Sequence, residues 1–189
     1  MKPALLVVDM QKDIVLSGSP YTSKMALGIV PKIKELLEFA RKREIPIVFL
    51  RYIIKADRSN AERFEPRTVT ACSEGTKGAE IINDLKPERG ESVVDRSRHN
   101  GFLDSRLGKI LEKLNVDCLV FCGVNTNICV RATAMEGYYR DYEIVIAKDC
   151  TGTSDRRIHE FTLNDMENIS YGMKIFTEKE FEKWYDGKI

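Results

Sequence analysis

Histidine is scarce in this chain of 189 residues: only His99 and His159 occur. Neither stands in a ligand-like spacing, so no built-in metal and no other cofactor is expected. Long apolar runs are missing too. None approaches the ~18 residues of a membrane helix, and the apolar start is broken at once by Asp9 and Lys12, which argues against a signal peptide. The five cysteines (Cys72, Cys118, Cys122, Cys129, Cys150) are odd in number and lack CxxC spacing. They read as reduced thiols in a cytoplasmic protein rather than as a disulfide frame or zinc ribbon. An excess of one charge is absent as well, with 30 Lys and Arg against 29 Asp and Glu. Nucleic-acid and membrane partners are therefore not expected. No G-x-G-x-x-G or P-loop follows any apolar run, which removes the usual nucleotide cradles.

What is present is a regular alternation of short apolar runs and amphipathic stretches. Strands are expected at about Ala4–Val8, Ile45–Tyr52, Ser92–Asp95, Asp117–Cys122, Glu143–Ala147 and Lys174–Phe176. Helices are expected over Ser23–Arg43, with Pro31 as an alternative start, and over Gly78–Leu85, Asp104–Leu114, Asn127–Tyr139, Arg156–Ile169 and Glu178–Tyr185. Such alternation predicts one α/β domain over residues 1–189, a three-layer Rossmann-like fold with a six-stranded parallel sheet covered by helices on both faces. The polar stretch from Lys55 to Thr76 is too long for a routine connection and is expected to serve function.

Two places carry chemistry. In Gly123-Val124-Asn125-Thr126-Asn127-Ile128-Cys129, a thiol falls in the first turn of a helix just past a buried strand, where backbone amides and the helix dipole favour a thiolate. Taken alone, Cys129 also reads as a small packing residue. The second place is Ala4-Leu5-Leu6-Val7-Val8-Asp9, an apolar run ending in one carboxylate. In open parallel sheets, ligands bind at the carboxyl edge of the strands. If the two strands are neighbours, Asp9 and Cys129 face each other there.

These residues resemble the isochorismatase-like cysteine hydrolases, a family that includes nicotinamidase, N-carbamoylsarcosine amidase and isochorismatase. The resemblance spans the chain: Leu5–Asp13, Gly75–Ile81, Val93–Arg96 with Asn100–Ser105, and Gly123–Ala134. It implies a six-stranded parallel sheet and assembly into homodimers or larger homo-oligomers. It also implies a catalytic Asp, Lys and Cys, matched here by Asp9, Arg96 and Cys129, and a cis peptide between Val124 and Asn125. The oxyanion would sit on the backbone N–H groups of Asn125 and Cys129.

Arg96 is the departure. An arginine stays protonated and cannot shuttle a proton, though it supplies a fixed positive charge to anions at Asp9 and Cys129. The alternatives are a purely structural Asp9–Arg96 pair in a silent relative, or Lys12 or another lysine taking the family lysine's role. The substrate is expected to be a small amide or N-carbamoyl compound. Arg51, Arg98, Phe102 and Thr126 are expected around it, and the two arginines suit a carboxylated substrate; the alternative is that Arg51 and Arg98 are solvated or pair across a subunit interface. Vinyl-ether hydrolysis, with Asp9 as acid and no need for the thiol, is the competing reaction. Nicotinamidases of the family carry Asp-x-His and a further His in the loop after the second strand. Lys55–Thr76 holds no histidine, which speaks against that substrate and its metal.

Overall fold

All six residues of the first strand, β1 (Pro3–Val8), are buried, as a central parallel strand requires. The computed structural model describes residues 1–16, 18–66, 68–103, 105–169 and 173–187. Its elements run β1, α1 (Lys12–Val15), α2 (Ala26–Lys42), β2 (Ile47–Tyr52), β3 (Ser92–Arg96), α3 (Leu107–Leu114), β4 (Cys118–Val124), α4 (Arg131–Tyr139), β5 (Glu143–Gly152), α5 (Arg156–Ile169), β6 (Lys174–Phe176) and α6 (Glu178–Tyr185). A π-helical turn, Thr126–Val130, joins β4 to α4.

The six strands form one parallel sheet in the order β3-β2-β1-β4-β5-β6. The chain winds outward one way from β1 and the other way from β4. The reversal between those two strands opens a crevice at their carboxyl ends. Alternate residues of each strand face opposite sides, which divides the core in two. Leu5, Val7 and Phe49 pack with Ile33 and Leu36 of α2 and Phe181 of α6. Leu6, Val8 and Phe121 pack with Leu107 of α3, Ala134 of α4 and Met166 of α5.

The helix expected over Asn127–Tyr139 is a π-helical turn to Val130 followed by α4, and four further differences stand out. The second helix starts at Ala26 and carries Pro31 inside it, where the ring forfeits a single backbone bond. Gly78–Leu85 is no helix but two 3-10 turns, Lys77–Ala79 and Asn83–Leu85. The residues between them are extended because Ile81 pairs with Gln11 and Ile82 N–H donates to Met10 O at 3.0 Å. The third helix is shorter than expected and leaves Leu114 exposed; the expected start at Asp104 lies outside the described residues. β5 runs on through Lys148 and Asp149 to Gly152, since α6 docks there and Glu178 N–H donates to Asp149 Oδ1 at 2.7 Å.

Gly123 sets the closeness of the two central strands. It has φ +104, and a Cβ there would lie 2.1 Å from Val8 O. Gly123→Ala is therefore expected to cost more than about 2 kcal/mol of stability by urea unfolding. An unchanged midpoint would contradict this packing.

Candidate active site

The crevice between β1 and β4 holds three side chains that the sequence singles out. Asp9 follows β1 with φ 54, a left-handed turn that Asp tolerates better than most residues. Arg96 closes β3, and Cys129 sits in the π-helical turn after β4. All three are buried. Arg96 Nη2 donates to Asp9 Oδ2 at 2.6 Å, its Nη1 donates to Arg98 O, and its guanidinium lies 5.7 Å from the Tyr52 ring centroid. Among the described residues, Asp9 Oδ1 and Asn125 Oδ1 are buried acceptors without a partner.

Gln11 braces this corner. Its Nε2 donates to Tyr52 O and Ala79 O, both at 3.0 Å, and its Oε1 accepts from Tyr52 N–H at 2.7 Å. One buried amide thus ties the segment after β1 to the end of β2 and to the first 3-10 turn. The peptide joining Val124 and Asn125 is cis.

Electrostatics correct one expectation. The Cys129 thiol is not poised as a thiolate; its pKa is pushed up to about 12. Burial is the largest cause, and the Asp9 carboxylate adds to it against the pull of Arg96. Helix-terminal dipoles contribute at most about 2 kcal/mol, which does not offset taking an anion out of water. Burial works against the charge of Arg96, yet Asp9 and Cys129 hold it above the usual arginine range. The resting site is a neutral thiol beside an ion pair.

These residues open onto a cavity of about 420 Å³, within the usual size for small-molecule sites. Its lining includes Asp9, Asn125 and Cys129, with Tyr21, Tyr52, Phe64 and His99 as aromatic walls. Glu62 and Glu65 of the long loop complete one side.

Arg51, Arg98, Phe102 and Thr126 do not line the cavity. Arg51 is held bidentate by Asp95, its cross-strand neighbour, at 2.7 and 2.8 Å. Arg98 donates to Asn60 O at 2.7 Å and pins the long loop. Phe102 stacks on Tyr142 beneath the Arg140 guanidinium. Thr126 is fully buried, with its hydroxyl 2.8 Å from His159 Nδ1. His99, in the loop that follows Arg96, has its Nδ1 3.5 Å from Cys129 Sγ; its place near the site is legible in the sequence, its contact with the thiol is not. Lys12, offered as a stand-in for the family lysine, pairs with Glu80 at 2.5 Å. Among the described residues, no three His, Cys, Asp or Glu side chains come together to hold a metal ion. The residues here do not fit a resident metal centre. Nor is any described helix long and apolar enough to cross a membrane.

The chain matches the family model described as Isochorismatase domain over residues 3–180. Its structure superposes on that of an isochorismatase family protein from Desulfovibrio vulgaris with a TM-score of 0.91, 30% identity and 98% of each chain covered. The N-carbamoylsarcosine amidase of Thermoplasma acidophilum gives a TM-score of 0.81 at 26% identity, over 95% of this chain and 98% of that one. A protein of Arabidopsis thaliana named as a probable inactive nicotinamidase is 29% identical, over 95% of this chain and 94% of its own length.

Two stability predictions follow from this geometry. Arg96→Gln leaves Asp9 buried without its cation and should cost about 3–5 kcal/mol by urea unfolding, whereas Arg96→Gln combined with Asp9→Asn should cost less than the single change. Equal losses would contradict the pairing. The second concerns His159, whose pKa is lowered from 6.5 chiefly by burial. As pH falls through 6.5, the unfolded chain takes up a proton that the folded chain resists, so stability is lost on the acid side. His159→Gln should flatten the decline in stability between about pH 7 and 5; an unaltered slope would assign that decline to other groups.

Proposed function

We propose that this chain, which belongs to the isochorismatase family, is a cysteine-dependent hydrolase of a small amide or ureido C–N bond. One observation carries the reading. A buried thiol and a buried carboxylate line the same cavity, and the carboxylate keeps one oxygen free while Arg96 holds the other. Similarity to a protein named N-carbamoylsarcosine amidase supports the bond type.

The chemistry runs from the neutral thiol. As the substrate displaces water, Asp9 Oδ1 takes the Cys129 proton, and Arg96 stabilises the thiolate as it forms. Sulfur attacks the carbonyl, and the oxyanion is received by the N–H groups of Asn125 and Cys129. Asp9 returns its proton to the departing ammonia or amine, leaving a thioester for water to cleave. Asp9 Oδ1 and Asn125 Oδ1 are acceptors that match the N–H donors of an amide or urea. Glu62 on the wall favours a neutral or cationic remote end, whereas Glu65 is engaged by Tyr21 and Arg58. The arginines expected to favour a carboxylate are occupied elsewhere.

A second reading, a catalytically silent member, rests on Arg96 as an ion-pair partner that cannot move a proton. One assay separates the two. Ammonia release is measured on a small aliphatic amide, an amino-substituted amide, nicotinamide and N-carbamoylsarcosine, with wild type beside Cys129→Ala, Arg96→Ala and Arg96→Lys. Release should vanish with Cys129→Ala, fall at least about 100-fold with Arg96→Ala and persist with Arg96→Lys. Release that survives Cys129→Ala would overturn the thiol mechanism. Equal activity of the two Arg96 variants would overturn the role given to Arg96.

A further inference from the structure

The mechanism above uses two of the titratable groups beside Cys129, Asp9 and Arg96. His99 is a further one. Its Nδ1 lies 3.5 Å from Cys129 Sγ, within reach of a sulfur hydrogen bond. The imidazole lines the cavity, stacked on Tyr52 with ring centroids 6.2 Å apart and planes 18° from parallel. Unlike Asp9, His99 is solvent-exposed. Its position is fixed from behind. The Thr133 hydroxyl accepts from Gly101 N–H at 2.9 Å and donates to Cys129 O at 2.7 Å, binding the loop of His99 and the turn of Cys129 to one point on α4.

We infer that His99 is a catalytic residue for the second half-reaction, carrying the proton between incoming water and the Cys129 sulfur. The inference rests on the hydrolase reading for its reaction and on the Sγ–Nδ1 geometry for its residue. After the first half-reaction Asp9 is again an anion held by Arg96, on the buried side of the sulfur. Water enters from the mouth, where His99 stands. Neutral Nδ1 takes a proton from the water as its oxygen bonds to the thioester carbon. The tetrahedral centre then collapses, the C–S bond breaks, and the sulfur leaves with the electron pair. The proton on Nδ1 passes to that sulfur. Thioester and water become carboxylic acid and thiol, with His99 neutral again. Imidazole suits this task because it trades protons near neutral pH, whereas Arg96 cannot. The charged and titratable groups around the imidazole are Cys129 on its turn, Tyr52 on β2, Asp9 after β1, Arg96 on its own segment, and Glu62 and Glu65 across the cavity.

The test begins without substrate. Alkylation of Cys129 by iodoacetamide is followed by intact mass from pH 5 to 9.5, for wild type and His99→Asn, with Cys129→Ala to identify the labelled sulfur. His99→Asn should slow labelling at pH 7 about tenfold relative to wild type. An unchanged profile would overturn the proton link between the two side chains. With whichever amide the wild type hydrolyses, His99→Asn should slow the second phase at least about tenfold more than it slows release of the first equivalent of ammonia. The variant should therefore accumulate an acyl group on Cys129. Equal slowing of both phases, or of neither, would overturn the assignment to the second half-reaction. If every amide is silent in wild type, the hydrolase reading fails with its half-reaction, while the labelling profile still decides whether His99 serves Cys129.

Discussion

The ion pair between Arg96 and Asp9 is the contact on which the rest of the site depends. Both side chains are almost wholly removed from water, and two isolated charges would not be tolerated there. Each is kept because the other is present. Their carriers come from opposite sides of β2: Asp9 follows β1, and Arg96 ends β3. The pair therefore spans three strands and fixes where the carboxylate points. It also leaves one oxygen of Asp9 uncommitted, which a symmetric bidentate clamp would have consumed.

Around that pair the fold supplies position rather than activation. The reversal of winding between β1 and β4 brings the carboxylate and the thiol to one edge. Gly123 lets the strands approach, and Gln11 locks the segment beyond Asp9 to β2. The thiol itself rests protonated, because burial outweighs the helix-end field. In the proposed mechanism, a nucleophile kept neutral until substrate arrives spares the protein the cost of a buried anion. There the proton transfers fall to two groups, buried Asp9 and exposed His99.

Much of this was legible in the sequence, for reasons that can be stated. A buried parallel strand is a run of apolar residues, so a carboxylate ending one and a thiol following another stand out without any structure. The six strands and the helices on both faces follow from the same alternation. The pocket wall was not legible. Arg51 and Arg98 look like cationic lining until their partners, Asp95 and the Asn60 carbonyl, are known, and those pairings are set by strand register and loop path. Thr126 sits in the right segment but turns inward to His159. Phe102 serves the packing around Tyr142 rather than the cavity. His99 was legible as a residue near the site but not as a neighbour of the thiol; only the loop's return to Thr133 brings it to the sulfur. The extended residues between the two 3-10 turns escaped for a similar reason, since their pairing with Gln11 and Met10 is long-range.

The measurement that tests the account most directly is partitioning of the reaction by hydroxylamine. A substrate that the enzyme turns over is incubated with increasing hydroxylamine, and the acid and hydroxamate products are quantified against an enzyme-free control. If Cys129 forms a thioester, hydroxamate appears at the expense of acid, in a ratio that tracks hydroxylamine and does not depend on substrate concentration. Acid as the sole product at every hydroxylamine concentration would mean that water attacks the substrate directly, and the thiol account of this site would be wrong.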